Sequence, residues 1–197
     1  MRDHWQDMAS RPQFVFGYGS LAARSGLAVS RRFQRHGFVA DLPGFARTWG
    51  VAMDNRHDLP GYKYYTDAAG GRPAVFVTFL DLRPSEPGWA TVNGLCLPVG
   101  EADLIELDRR ERNYERVDVS DRIDAGGAQV WVYLGSAAGR ARLEAGRRGG
   151  TAVIDANYLR AVAAGFSALG EAEHRLCRPS LKPSGLPVAE LTRHQLP

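Results

Sequence analysis

The alternation of apolar and polar positions along the chain predicts mostly short strands. Phe14–Phe16 is an apolar run that breaks into the turn Gly17-Tyr18-Gly19-Ser20, and a short apolar run bounded by turn residues reads as a buried strand. From Phe38 to Leu97 the pattern stays extended: FVA, a Pro43-Gly44 turn, FARTWGVAM, the polar loop NRHDLPG, YKYY, an AAGG turn and AVFVTFL. AVFVTFL has only Thr78 as a polar member, which predicts a strand covered on both faces. TVNGLCLPV reads as a further strand, and ERVDVSDRI and VWVYLG flank Gly126-Gly127 as a hairpin.

Helical spacing is scarcer. Glu101–Arg112 is one predicted helix and Thr151–Leu169 a second, with Val153, Tyr158, Leu159, Val162, Phe166 and Leu169 broadly on one face and Gly170 as the stop. Residues 22–36 predict loop with a short turn of helix, because periodic apolar positions are few and Gly26 interrupts them. Residues 1–12 read as a polar lead, 13–177 as one domain, and 178–197, with its four prolines, as a tail or irregular wrap. Short strands with few intervening helices predict an α+β fold built on a small mixed or closed sheet, not regular βαβ alternation.

Composition narrows the class. The 197 residues are 44% hydrophobic and 24% charged, values of an ordinary soluble domain with enough chain for a core and a pocket. The net charge of +3 has no dense basic face behind it; the run RRFQR at 31–35 is short and lacks stacking aromatics, so no nucleic-acid partner is predicted. Cys96 and Cys177 lie far apart without a CxxC spacing, and His4, His36, His57, His174 and His194 are scattered without a ligand pair, so neither a disulfide framework nor a metal site is predicted. The segment MRDHWQDMASRPQ lacks the apolar stretch of a secretory signal, and no run approaches the ~18 apolar residues of a membrane span. A cytoplasmic location follows as the expectation.

Two segments carry candidate chemistry. GYGSLA at 17–22 matches the permissive dinucleotide pattern GxGxxA after a strand, with Asp41 further on. That fingerprint demands a well-formed helix and a parallel βαβ continuation, and this chain continues into hairpin-like strands instead. The turn keeps its physical content: glycines permit close ligand approach, and the N–H groups of Gly19, Ser20 and Leu21 could cradle an anion beyond the strand end. The plain alternative is a tight turn with Tyr18 packed beneath it. The second segment is LDRRERNY at 107–114. On a helix, Glu111 falls on the face of Leu104 and Leu107, whereas Glu106, Arg109 and Arg110 point elsewhere. A carboxylate aimed inward needs a partner or a pocket. The competing reading lets Glu111 swing out to Arg112 or Arg116 at a frayed helix end.

FGYGSL followed about 90 residues later by LDRRE, with a tyrosine three residues beyond the glutamate, resembles the γ-glutamylcyclotransferase superfamily, whose members carry a YGS turn after the first strand and an acid in an LDxxE segment. The likeness runs from about Phe14 to Leu134. The YGSL form and the segment NYLRAVAAGFSALG are similar to the ChaC-like, glutathione-degrading branch, while Ala22-Ala23 departs from the bulkier residues common there. The resemblance implies a small mixed β-barrel with flanking helices and conversion of a γ-glutamyl peptide or amine to 5-oxoproline without metal or cofactor. It implies Glu111 as general acid and base, and Gly17, Tyr18, Gly19, Ser20, Leu21 and Tyr114 as substrate-binding residues, with the YGSL loop taking either the glutamyl carboxylate or an oxyanion. The partner implied is a small molecule, neither nucleic acid nor membrane. A non-catalytic γ-glutamyl-binding module is the alternative, and a dinucleotide enzyme a more distant one.

Overall fold

A computed structural model describes residues 11–22, 37–86, 88 and 90–196. Most of the polar lead, the expected helical turn within 22–36 and the RRFQR run lie outside the described residues.

Five strands form one sheet. At its centre β1 (Gln13–Gly17) runs antiparallel to β6 (Thr91–Val99) and parallel to β8 (Gln129–Gly135). β2 (Phe38–Pro43) pairs with the far edge of β6, and β7 (Tyr114–Asp118) with that of β8. The second sheet has the order β10-β9-β5-β3, from β3 (Phe45–Asp54), β5 (Phe76–Pro84), β9 (Ala152–Asp155) and β10 (Val188–Ala189). A two-stranded ribbon joins β4 (Lys63–Thr66) to β11 (Thr192–Gln195).

The α+β expectation therefore holds, but the expected barrel does not: the described strands lie in three open sheets. In the first sheet, Pro43 at the end of edge strand β2 lacks the N–H that further pairing would need, and edge strand β7 carries exposed Glu115 and Asp118, features that blunt an edge.

Burial explains the layering. β5 has seven consecutive buried residues, Phe76–Leu82, so the doubly covered strand predicted from AVFVTFL is present but lies two residues further on. Phe76, Leu80 and Leu82 face a main core shared with Phe16, Leu42, Val130 and Val132 of the first sheet, and Val77 and Phe79 face a second core beneath the β4–β11 ribbon. Residues 178–196 pack onto the fold: Leu181, Leu186 and Leu191 are buried, and two strands pair there.

Four helices are described: α1 (Glu101–Arg110), α2 (Ala137–Arg148), α3 (Ala156–Leu169) and α4 (Glu171–Cys177). α3 starts five residues later than the apolar spacing predicts, because Ala152–Asp155 pairs with β5 and β10 as strand β9 and Asp155 then caps the helix at Asn157 N (3.0 Å) and Tyr158 N (3.2 Å).

A buried carboxylate also bridges the two large sheets. Asp81 of β5 accepts from its neighbour Leu82 N (2.8 Å), from Gly135 N at the end of β8 (2.7 Å) and from Arg140 Nε of α2 (3.0 Å). The register of β3 against β5 slips between Trp49 and Val51, and a Cβ on the intervening Gly50 would lie 2.4 Å from Asp81. The slip and the missing side chain make room for the carboxylate. Asp81→Ala is expected to destabilise the protein by about 3 kcal/mol, at the low end for a broken buried pair because Arg140 is one-third exposed and can rehydrate. Denaturant unfolding measures this; a loss under about 1 kcal/mol, the worth of a surface pair, would show that Asp81 does not hold the sheets together.

Candidate active site

β1 delivers the YGSL turn to one end of the first sheet. Ala22 N donates to Gly19 O (3.0 Å) and closes the turn. Neither Gly17 nor Gly19 takes a positive φ, and both serve close packing. A Cβ on Gly17 would sit 2.9 Å from Leu21 Cβ and 3.1 Å from Ala22 N, and one on Gly19 would sit 3.1 Å from the Tyr158 hydroxyl. Tyr18 is buried and donates to Tyr133 O (2.6 Å), which anchors the loop onto β8. Among the described residues, none of the N–H groups of Gly19, Ser20 and Leu21 donates to another group.

α1 brings the acid. Leu104 and Leu107 are buried against Val15 of β1 and Tyr133 of β8, with Leu21 and Tyr114 packed beside them. Glu111, four residues past Leu107, is the helix C-cap; its N–H bonds Leu107 O and its carbonyl receives Tyr114 N, both at 2.8 Å. The helical pattern therefore ends at Arg110 rather than Arg112, and β7 begins at Tyr114. The Glu111 side chain, 14% exposed, does not reach Arg112 or Arg116; it pairs with Arg110 Nε at 3.3 Å. Arg110 thus turns toward the site rather than away, as the last helical residue beside the cap.

Tyr18, Gly19, Ser20, Leu21, Glu111 and Tyr114 all line one small cavity of about 30 Å³, together with Leu80, Tyr133 and Tyr158. Gly17 is not in its wall and lies under the loop. The Tyr114 hydroxyl donates to Leu80 O (2.7 Å), so its phenol is a fixed wall. Burial holds the Tyr18, Tyr114 and Tyr158 hydroxyls protonated, well above the ordinary tyrosine range.

The cavity opens into a cleft of about 190 Å³ whose lining includes Ser20, Lys63, Phe79, Arg110, Asp155 and Arg193. Three wall residues escape sequence reasoning. Tyr158 has the periodicity of a core residue and does pack edge-on to Phe79 at 5.2 Å, but its hydroxyl end reaches Gly19. Lys63 sits in a short strand, and Arg193 in a stretch whose prolines mask its extended pattern. Among the described residues no cluster of His, Cys, Asp and Glu could hold a metal ion, and no helix is long and apolar enough to cross a membrane. Both cysteines are buried and unpaired.

The arrangement sets Glu111 and a loop with three unbonded amides in the wall of one small cavity. It can take a proton from a cationic amine and hold an oxyanion or carboxylate at the same time. Gly17→Ala is expected to cost about 1–3 kcal/mol, as overpacking does, because the added methyl meets backbone at Ala22. Equilibrium unfolding reads that cost, and an unchanged midpoint would mean the loop has slack.

No protein-family model and no curated protein matches this sequence. Among solved structures, YkqA from Bacillus subtilis superposes with a TM-score of 0.58 at 16% identity, over 92% of this chain and 57% of its own. A γ-glutamyl cyclotransferase superposes with a TM-score of 0.50 at 15% identity, over 84% of this chain and 86% of its own. The chain spans little more than half the length of YkqA. At these identities the likeness is one of fold, and the chain has the γ-glutamyl cyclotransferase fold.

Proposed function

We propose that this chain is a γ-glutamylcyclotransferase of the ChaC-like branch, acting in the cytoplasm on glutathione or another γ-glutamyl peptide. The observation that carries the reading is the shared cavity of Glu111 and the YGSL loop, with the loop amides unbonded among the described residues.

The chemistry follows from the substrate. A γ-glutamyl amide carries its own nucleophile, the α-amine, at the distance that closes a five-membered ring on the γ-carbonyl, so much of the entropic barrier is removed within the molecule. The amine arrives protonated and cannot attack until it loses that proton. Glu111 takes it; nitrogen then adds to the carbonyl, and the tetrahedral intermediate places negative charge on oxygen. Glu111 returns the proton to the departing nitrogen as the C–N bond breaks. Its freed carboxylate then takes the remaining extra proton of the ring nitrogen and passes it to the departing amine, releasing 5-oxoproline with a neutral ring amide and the amine as its ammonium ion. Arg110 orients Glu111 between turnovers. The amides of Gly19, Ser20 and Leu21 bind an anionic oxygen of the glutamyl group, and oxyanion donors of this kind are worth about 3–4 kcal/mol. Tyr18 and Tyr114 fix the walls through Tyr133 O and Leu80 O. Every step is a proton transfer or an addition–elimination, which side chains and amides can perform without a cofactor.

The test is to incubate the protein with glutathione, γ-glutamyl dipeptides and γ-glutamyl amines and to assay 5-oxoproline. Product is expected from at least one, and Glu111→Gln is expected to lower kcat by about 10²–10⁴-fold with the fold intact by circular dichroism. Saturable binding without product from any substrate would make the chain a binding module. Full activity in Glu111→Gln would overturn the assigned proton carrier.

A further inference from the structure

Beyond Glu111 the cleft changes character. β4 and β11 pair with Lys63 opposite Gln195 and Tyr65 opposite Arg193, so Lys63, Tyr65, Arg193 and Gln195 share one face of the ribbon while Tyr64 and His194 stack on the other at 4.9 Å. That shared face looks into the cleft. Lys63 Nζ lies 4.0 Å from the centre of the Phe79 ring, and both Lys63 and Arg193 line the cleft beside Arg110. An adjoining recess of about 260 Å³ has Lys63, Arg110 and Arg193 in its wall as well.

These cations are not balanced. Among the described residues neither Lys63 nor Arg193 has a carboxylate within ion-pair distance, and the one hydrogen bond of the Arg193 side chain is to the neutral Gln195 at 3.3 Å. The acids that face the cleft are engaged elsewhere: Glu111 with Arg110, and Asp155 with the first amides of α3. Arg110 Nη1 is buried with no partner. Two cations side by side on a ribbon face repel one another, and a half-buried lysine over an aromatic ring has lost water without gaining an anion.

We propose that Lys63 and Arg193 form the subsite for a carboxylate on the amine portion that leaves the γ-glutamyl group. The chain then favours γ-glutamyl amino acids and peptides with a free carboxyl terminus over γ-glutamyl amines and carboxyl-terminal amides. The assignment rests on the cyclotransferase reading and gives it a substrate class. Its spatial logic is direct: the glutamyl end occupies the small cavity at Glu111, and the cleft that shares Ser20, Glu111, Tyr114 and Tyr158 with that cavity continues along the cationic wall. Lys63 and Arg193 are specificity-determining residues that touch substrate away from the reacting bond.

The geometry carries a pH signature. Burial pulls the Lys63 ammonium down to about 7; the nearby Arg193 and Arg110 act in the same direction, and Glu111 and Asp155 oppose it. Lys63 is therefore charged below pH 7 and loses its proton above it, so the carboxylate subsite weakens as pH rises.

The experiment compares γ-glutamyl-alanine with γ-glutamyl-alanine amide by 5-oxoproline release, in wild type, Lys63→Met, Arg193→Gln and Lys63→Arg. Wild type is expected to prefer the acid by about tenfold or more in kcat/KM, and each neutral variant to erase most of that ratio through KM, as loss of one charge partner does. In wild type, KM for the acid should rise several-fold between pH 7 and 8, and Lys63→Arg, whose guanidinium stays charged, should abolish the rise while keeping the preference. Equal treatment of acid and amide by wild type, or equal losses on both in the neutral variants, would overturn the subsite. That result would leave the cyclotransferase reading standing, whereas absence of 5-oxoproline from both substrates, and from glutathione, would overturn the reading beneath it.

Discussion

Asp81 is the constraint on which the rest of the molecule is built. It is a fully buried carboxylate, and a charge in that setting is tolerated only when its oxygens are met by donors. The donors come from three places: its own strand, the end of β8 and helix α2. Meeting them fixes the second sheet against the first, and the bulge at Gly50 is the local cost of fitting the carboxylate between strands. The residue before it, Leu80, lines the small cavity and receives the Tyr114 hydroxyl. The junction and the site are thus one piece of structure, and the cavity keeps its shape because its floor is also the seam.

The two halves of the site are held by different means. The YGSL loop is held by a hydroxyl beneath it, Tyr18 to Tyr133 O, and by packing so close that side chains are excluded at Gly17. Glu111 is held by a helix that docks through Leu104 and Leu107 and stops at the acid itself. A side chain at a helix C-cap is free of the helical repeat, which lets Glu111 turn inward while Arg110 follows it. Both supports converge on β1 and β8, so loop and acid keep their separation when the surface around them moves.

Much of the strand inventory was legible in the chain because burial and alternation coincide: β3, β5 and β6 stand where the apolar runs predict them. α2 was not, since its inward face is Gly139, Leu143 and Gly146. Close packing against Val51 and Phe76 requires those glycines, and a stripe made of missing side chains leaves no apolar period to read. The late start of α3 has a similar cause: Val153 and Ile154 fit the helical face and the strand equally well, and pairing with β5 decides between them.

By itself the sequence determined which groups were candidates for chemistry. An acid one residue past the helical run of α1 and a glycine-flanked turn after the first strand are local patterns, placed by local geometry beside Leu107 and β1. Tertiary structure alone decided what surrounds them. It left the sheets open, because proline-ended and charged edges do not pair onward. It turned a proline-rich stretch into β11, because Leu191 is buried beside Tyr65 and Phe79 and the strand lies against β4. That pairing brings Arg193 to Lys63 across about 130 residues of chain, a proximity that depends on loop closure and register, and neither is written in the spacing of either segment.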